Sequence, residues 1–331
     1  SVSEATLARV ELPGFEDVLR AREVVARFLP RTPTWSYPSL SRELGCELFV
    51  KHENHQPVGA FKVRGGVNLV SALDPATRAR GLVAATRGNH GLSVAWAGRR
   101  FGAPVTIVVP RGNNPEKNEA MRAEGAQLVL HGRDFDEARE HAETLVAREG
   151  FRYVHSANEP LLVAGVATAA LELFEDVPDL DALFVPVGLG SGLCGAGIVR
   201  GELSPHTRLV GVQSERAPAM CLSWRERRPV QTPSADTFAD GLATRVPQAL
   251  TLAGMLRFVD DFALVSESAI ARAIRSLLRH THNLAEGAGA APLAAIDDAK
   301  AKLAGQRVGM ILSGGNLDAE TLRRVLADEI R

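Results

Sequence analysis

Short apolar runs rich in Val, Ile and Leu, at 48–51, 82–85, 105–109, 127–130, 183–187, 209–212 and 308–312, alternate with longer segments of helical spacing. Those segments include 135–149, 161–175, 269–280, 290–303 and 318–329. Runs of four or five apolar residues suit strands buried on both faces, and intervening helices supply the crossovers that parallel strands need. The chain is therefore expected to be α/β, with mostly parallel sheets and helices on both faces. At 331 residues it exceeds what one hydrophobic core usually serves, so two open α/β lobes are expected. The smaller lobe is placed at 81–157, which holds three of the runs, and the larger at 1–80 and 158–331. Residues 229–239, with Gln231-Thr232-Pro233-Ser234, are the least periodic and read as a surface excursion.

Three of the runs end in small, polar turns. Gly188-Leu189-Gly190-Ser191-Gly192 follows 183–187, Thr86-Arg87-Gly88-Asn89-His90-Gly91 follows 82–85, and Ser313-Gly314-Gly315-Asn316 follows 308–312. Ligands of open α/β sheets gather outside the carboxyl ends of strands. The first turn can aim backbone N–H groups, a helix N-terminus and the Ser191 hydroxyl at a phosphate, although glycine-rich turns also arise from packing alone or in dinucleotide folds. It lacks the GxxxxGK[ST] pattern, so nucleotide hydrolysis gains no support. The second turn can hold a carboxylate through Thr86, Asn89 and backbone amides, or can simply cap a helix starting near Leu92.

Lysine is scarce: Lys51, Lys62, Lys117, Lys300 and Lys302 are the full set. Lys62 lies in Gly59-Ala60-Phe61-Lys62-Val63-Arg64-Gly65-Gly66, an apolar and glycine-flanked setting. A desolvated lysine loses its charge and becomes a nucleophilic amine, able to form a Schiff base with a carbonyl compound.

The ordered series of these segments, with Lys51-His52-Glu53-Asn54-His55-Gln56-Pro57, Ala239-Asp240-Gly241 and Glu286-Gly287-Ala288-Gly289, resembles the serine/threonine dehydratases. These are fold-type II, tryptophan-synthase-β-like enzymes that use pyridoxal 5'-phosphate, and the resemblance spans about 31–317. It implies a cofactor in a cleft between the lobes, with Lys62 as the Schiff-base lysine and Phe61 packed on the pyridine ring. It further implies Asn89 at the ring's 3-oxygen, Gly188, Leu189, Gly190, Ser191 and Gly192 around the phosphate, and Ser313 at the pyridine nitrogen. Thr86, Asn89 and His90 would hold the substrate carboxylate, and Gly241 and Glu286 would lie near substrate or ring.

The implied activity is that of an ammonia-lyase: removal of the β-hydroxyl of a β-hydroxy-α-amino acid, giving a 2-oxo acid and ammonia. A racemase or a β-replacing synthase is the alternative within this cofactor class, and a nucleotide-binding protein the alternative outside it. Two departures bear on the choice. Many relatives carry a serine pair where this chain has Thr86-Arg87, and a guanidinium cannot shuttle a proton as the second serine does in serine racemases. Racemisation is thereby disfavoured. Arg87 either reads an anionic group of the substrate, as in 3-hydroxyaspartate, strengthens binding of the α-carboxylate, or faces solvent; threonine, serine and phenylserine are the other candidate substrates. The second departure is the phosphate loop itself, where Leu189 and Ser191 replace two of four glycines and Ser191 keeps a donor.

A net charge of −1 gives no electrostatic reason to expect nucleic acid or an anionic membrane as partner. Cys46, Cys194 and Cys221 are odd in number and widely spaced, which suits a reducing cytoplasm. The stretch 211–219 lacks the carboxylates with which some relatives hold a divalent cation, and Glu215 is expected to face solvent. His52 and His55 are expected to serve local packing, and His280 and His282 are spaced against a shared metal, so no metal site is expected. No run of membrane-spanning length and no basic leader followed by an apolar stretch is present. A homodimer or larger assembly is implied by the resemblance, and an appended C-terminal regulatory domain is not expected, since Asn316 lies one helix from Arg331.

Overall fold

The computed structural model describes residues 2–331. Ten strands form in chain order: β1 Thr34–Ser36, β2 Glu47–His52, β3 Leu82–Ala85, β4 Val105–Val109, β5 Gln127–Leu130, β6 Arg152–Tyr153, β7 Ala182–Pro186, β8 Arg208–Ser214, β9 Asp261–Val265 and β10 Arg307–Leu312. They make a six-stranded sheet of order β1-β2-β10-β7-β8-β9 and a four-stranded sheet of order β5-β4-β3-β6. Every pairing is parallel except that of β1 with β2. The α/β architecture expected from the alternating runs is what forms.

β1, β6 and β9 are additional to those runs. β1 and β6 span three and two residues, too few to show a pattern, and both lie at sheet edges where one side needs no apolar cover. β9 is the opposite edge of the large sheet and opens on the exposed Asp261. The helix expected at 290–303 divides into Gly287–Asp298 and Lys300–Leu303. The former starts earlier than its periodicity suggests, because Gly287 and Gly289 are buried where the helix approaches Ala239 and the backbone of Gly314.

β10, late in the sequence, fills the space between β2 and β7, so Leu312 pairs with His52 and Met310 with Phe184. Its exit is stitched to the approach to Lys62: Phe61 N–H donates to Ser313 O (2.9 Å), Gly315 N–H to Gly59 O (2.9 Å) and Asn316 Nδ2 to Val58 O (2.9 Å). Gly59 has φ +73°, and a Cβ there would fall 2.5 Å from Asn316 Oδ1, so this close crossing requires glycine.

The helix Lys62–Ala72 packs against both Asn89–Phe101, which follows β3, and Pro160–Asp176, which lies on the large sheet's core. It therefore touches both halves of the molecule. Gly65 and Gly165 allow that contact, since a Cβ on Gly165 would meet Arg64 O at 2.6 Å.

Under this helix lies a sealed ionic network. Arg64 donates to Glu53 (2.5 and 2.9 Å) and to Glu172 (2.7 and 2.9 Å), while Lys51 Nζ reaches Glu172 (2.8 Å) and Thr32 O (2.7 Å). Two cations balance two carboxylates, the condition under which buried charge is tolerated. Despite burial, the neighbouring cations hold Glu53 below the usual carboxylate range and bring Glu172 down to about 2.

Candidate active site

Every site residue singled out from the sequence lines one cleft, with about 880 Å³ of free space that is partly open to solvent. The three turns converge there because β3, β7 and β10 all present their carboxyl ends to it. Glu215 is exposed, as expected, and His52, His55, His280 and His282 lie outside the cleft.

Lys62 opens its helix and keeps part of its surface accessible on the cleft wall. Its Nζ lies 2.7 Å from Ser191 Oγ and 2.9 Å from Ser156 O. Burial lowers the amine to about 7. His155 sets up the second contact: its Nδ1 accepts from the N–H groups of Ala157 (2.8 Å) and Asn158 (2.9 Å), folding the chain so that the Ser156 carbonyl faces the lysine. A backbone acceptor leaves no side-chain signal in a sequence, and neither Ser156 nor His155 was expected.

Residues 188–192 turn from β7 into the helix Ser191–Leu203, whose cap Gly190 has φ +110°. A Cβ on Gly188 would lie 2.4 Å from Gly241 O, and one on Gly192 would lie 3.1 Å from the Phe61 ring. The loop is thus pressed between Gly241 and Phe61, with bare backbone facing the cleft. Ser313 is buried, and its hydroxyl makes no hydrogen bond among the described residues.

The loop after β3 is largely self-organised. Thr86 Oγ1 accepts from the N–H groups of Gly88 (2.9 Å) and Gly91 (3.2 Å), leaving one hydroxyl proton for a ligand. Asn89 Nδ2 donates to Glu286 Oε1 (2.6 Å), and Asn89 Oδ1 accepts from Asn316 (2.8 Å). The amide is therefore clamped between the N-cap of the helix Gly287–Asp298 and the turn that follows β10. His90 Nε2 bonds Val154 O at 2.9 Å, which requires the proton on Nε2, and its Nδ1 is buried without a partner. Burial, aided by the Lys62 charge, brings His90 down to about 3, so the ring is neutral. Burial pushes Glu286 up to about 6, against the pull of Lys117 and Asn89.

Arg87 is half-buried on the cleft wall. Its Nη2 is 3.4 Å from Asp240 Oδ1, and Lys117 Nζ is 2.7 Å from Asp240 Oδ2. Lys117 carried no assignment at the sequence level, and Asp240 entered only as part of Ala239-Asp240-Gly241, without a role of its own; the fold brings the two together.

The sequence matches the model of the family described as pyridoxal-phosphate dependent enzyme over residues 25–314. The chain belongs to that family. The L-threonine ammonia-lyase of Thermotoga maritima is 38% identical over 311 residues, covering 94% of this chain and 77% of that protein. The L-threo-3-hydroxyaspartate ammonia-lyase of a Pseudomonas species is 34% identical over 317 residues, 96% and 99% of the two chains. Among solved structures, maize serine racemase superposes with a TM-score of 0.89 at 29% identity, covering 96% and 98%. Membership in the pyridoxal-phosphate dependent family sets aside the nucleotide-binding alternative for residues 188–192.

The residues of this pyridoxal-phosphate dependent enzyme fit the cofactor on their own terms. A desolvated amine suits its aldehyde, a helix N-terminus with side-chain-free backbone at Gly188 and Gly192 suits its phosphate, and the unspent Ser313 hydroxyl and the Phe61 ring suit a flat heterocycle.

Proposed function

We propose that the protein is an ammonia-lyase that removes the β-hydroxyl of a β-hydroxy-α-amino acid, releasing a 2-oxo acid and ammonia. The observation that carries this reading is the Lys62 amine, lowered to about 7 and 2.7 Å from Ser191 Oγ at the mouth of a glycine-lined helix N-terminus. Its relatives' names, threonine ammonia-lyase and hydroxyaspartate ammonia-lyase, support the reaction class.

In this reading Lys62 anchors the cofactor, and the backbone of Gly188, Leu189, Gly190 and Gly192 with the Ser191 hydroxyl holds its phosphate. Phe61 covers one ring face, Asn89 meets the 3-oxygen, and Ser313, a neutral hydroxyl, meets the ring nitrogen. When bound, pyridoxal phosphate supplies the electron sink that lets the substrate's α-C–H bond ionise. Lys62, released from its anchoring role when substrate binds, takes the α-proton; an amine poised near 7 is suited to that transfer. The remaining Thr86 proton, the Asn89 amide and the backbone N–H groups near His90 orient the α-carboxylate. Gly241 and Glu286 form the facing wall. With Arg87 held at Asp240, no neutral hydroxyl occupies its position, which favours elimination over racemisation.

The segments 81–157 and 1–80 with 158–331 are proposed as the two lobes. Assembly as a homodimer or larger oligomer and a cytoplasmic location are part of the same reading. The three cysteines are free and buried, which suits a reducing compartment, and no helix is long and apolar enough to cross a membrane.

The test is direct. Purified protein loaded with pyridoxal phosphate is expected to show the visible absorbance of a lysine-bound cofactor and to form a 2-oxo acid from a β-hydroxy amino acid. Lys62→Ala should abolish both, and a variant that keeps the wild-type spectrum overturns the assignment.

A further inference from the structure

We infer that Arg87, supported by Lys117, reads a second carboxylate on the substrate, so that the preferred substrate is a β-hydroxy-α-amino dicarboxylic acid. This rests on the ammonia-lyase reading and narrows it.

Arg87 and Lys117 belong to one local structure. Asn113 Nδ2 donates to Arg87 O (3.1 Å) and fixes the backbone at Arg87, while a Cβ on Gly88 would lie 3.4 Å from Lys117 Cδ. The two cations thus flank the same turn that carries Thr86 and Asn89. Both line the cleft, and both address Asp240.

Their ties to Asp240 are unequal. The 2.7 Å contact of Lys117 is a hydrogen bond, whereas the 3.4 Å approach of Arg87 is an ion pair in which no guanidinium N–H makes a hydrogen bond among the described residues. Arg87 Nε is sealed from solvent without a partner. A guanidinium offers five N–H donors in a planar fork that matches a carboxylate. Glu286, the other acid on the cleft wall, is occupied by Asn89.

A monocarboxylic substrate presents one carboxylate, which the Thr86 hydroxyl and the adjoining backbone amides suffice to hold, and leaves the Arg87 donors unspent. A second carboxylate takes them. Because Lys117 holds Asp240 at 2.7 Å, Arg87 can turn to that second carboxylate without leaving Asp240 unpaired. Charge-assisted hydrogen bonds of this type carry specificity as well as affinity.

The experiment compares kcat/KM for threo-3-hydroxyaspartate and threonine in wild type, Arg87→Met and Arg87→Lys. Alongside it, L-aspartate and L-alanine are titrated into holoenzyme while the cofactor absorbance is followed. Wild type should prefer 3-hydroxyaspartate and bind aspartate more tightly than alanine. Arg87→Met should lower the ratio of the two kcat/KM values by roughly 10- to 100-fold, mainly through KM, and Arg87→Lys should restore part of it. Equal losses for both substrates in Arg87→Met, or a wild type that prefers threonine or binds aspartate no better than alanine, would overturn the inference. If aspartate binding depends on Arg87 but no β-hydroxy amino acid yields a 2-oxo acid, the carboxylate site stands and the ammonia-lyase reading fails.

Discussion

Lys62 and Ser191 each begin a helix, and Lys62 Nζ meets Ser191 Oγ at 2.7 Å. Burial lowers the Lys62 amine to about 7, while the helix that begins at Ser191 turns its N-terminal N–H groups, which carry partial positive charge, towards the same cleft. One arrangement thus sets an amine that is readily deprotonated beside a row of N–H donors, a pairing suited to an aldehyde and a phosphate on one ligand.

The first prediction concerns that amine. In cofactor-free protein, acylation of Lys62 followed by mass spectrometry should reach half its maximal rate near pH 7, where an ordinary lysine would need about 10.4. A rate still climbing steeply above pH 9 would contradict the environment described. Because the folded-state value lies below the unfolded one, this group makes the cofactor-free fold more stable as pH rises from about 7 towards 10.5.

Glu286 titrates in the opposite sense. Burial raises it to about 6, so the carboxyl is protonated below that pH and ionised above it. The profile of kcat/KM should show an acid limb with a midpoint near 6, and Glu286→Gln should remove that limb. Persistence of the limb in the variant would assign it elsewhere. For stability, the folded value exceeds the unfolded value of 4.5, so the stabilising contribution is complete below that and is lost as pH rises through 6.

The buried network beneath the lysine helix is expected to govern acid stability. Arg64→Met leaves Glu53 and Glu172 sharing one cation and should cost about 3–5 kcal/mol in chemical denaturation. Glu172 lies below its unfolded value of 4.5, so its stabilisation is present above that pH and declines as pH falls towards 2. Glu172→Gln should flatten the acid limb of the stability curve, and an unchanged limb would count against the network's role.

Gly188→Ala tests the phosphate loop. The added methyl would stand 2.4 Å from Gly241 O, a backbone atom, so the loop must shift. Overpacking of this kind costs about 1–3 kcal/mol, and roughly 10- to 100-fold weaker retention of pyridoxal phosphate on dialysis is expected. Retention equal to wild type would show that the loop does not hold the phosphate.

Strands β3, β4, β7 and β10 were legible as apolar runs because nearly every residue in them is buried. β6 was not, because Arg152 and Tyr153 become a strand only by pairing with Leu82 and Val83. The same distinction holds in the cleft. Lys62, residues 188–192 and Ser313 lie in contiguous segments whose chemistry can be read locally, whereas Lys117 and Asp240 are 123 positions apart and acquire meaning only on meeting. The fate of Arg87 depends on that meeting, which is why its sequence reading stayed divided between solvent and substrate.

β10 sets an order of events during synthesis. β2 meets β7 only through it, so the pair β1-β2 and the trio β7-β8-β9 remain separate pieces until residues 307–312 have left the ribosome. Lys62 and the loop at 188–192 are translated long before Ser313, which lines the same cleft at the end of β10. A nascent chain stalled before Arg307 would thus expose two unpaired sheet edges, a state prone to association with other chains. Completion of the sheet and completion of the cleft wall are one and the same step.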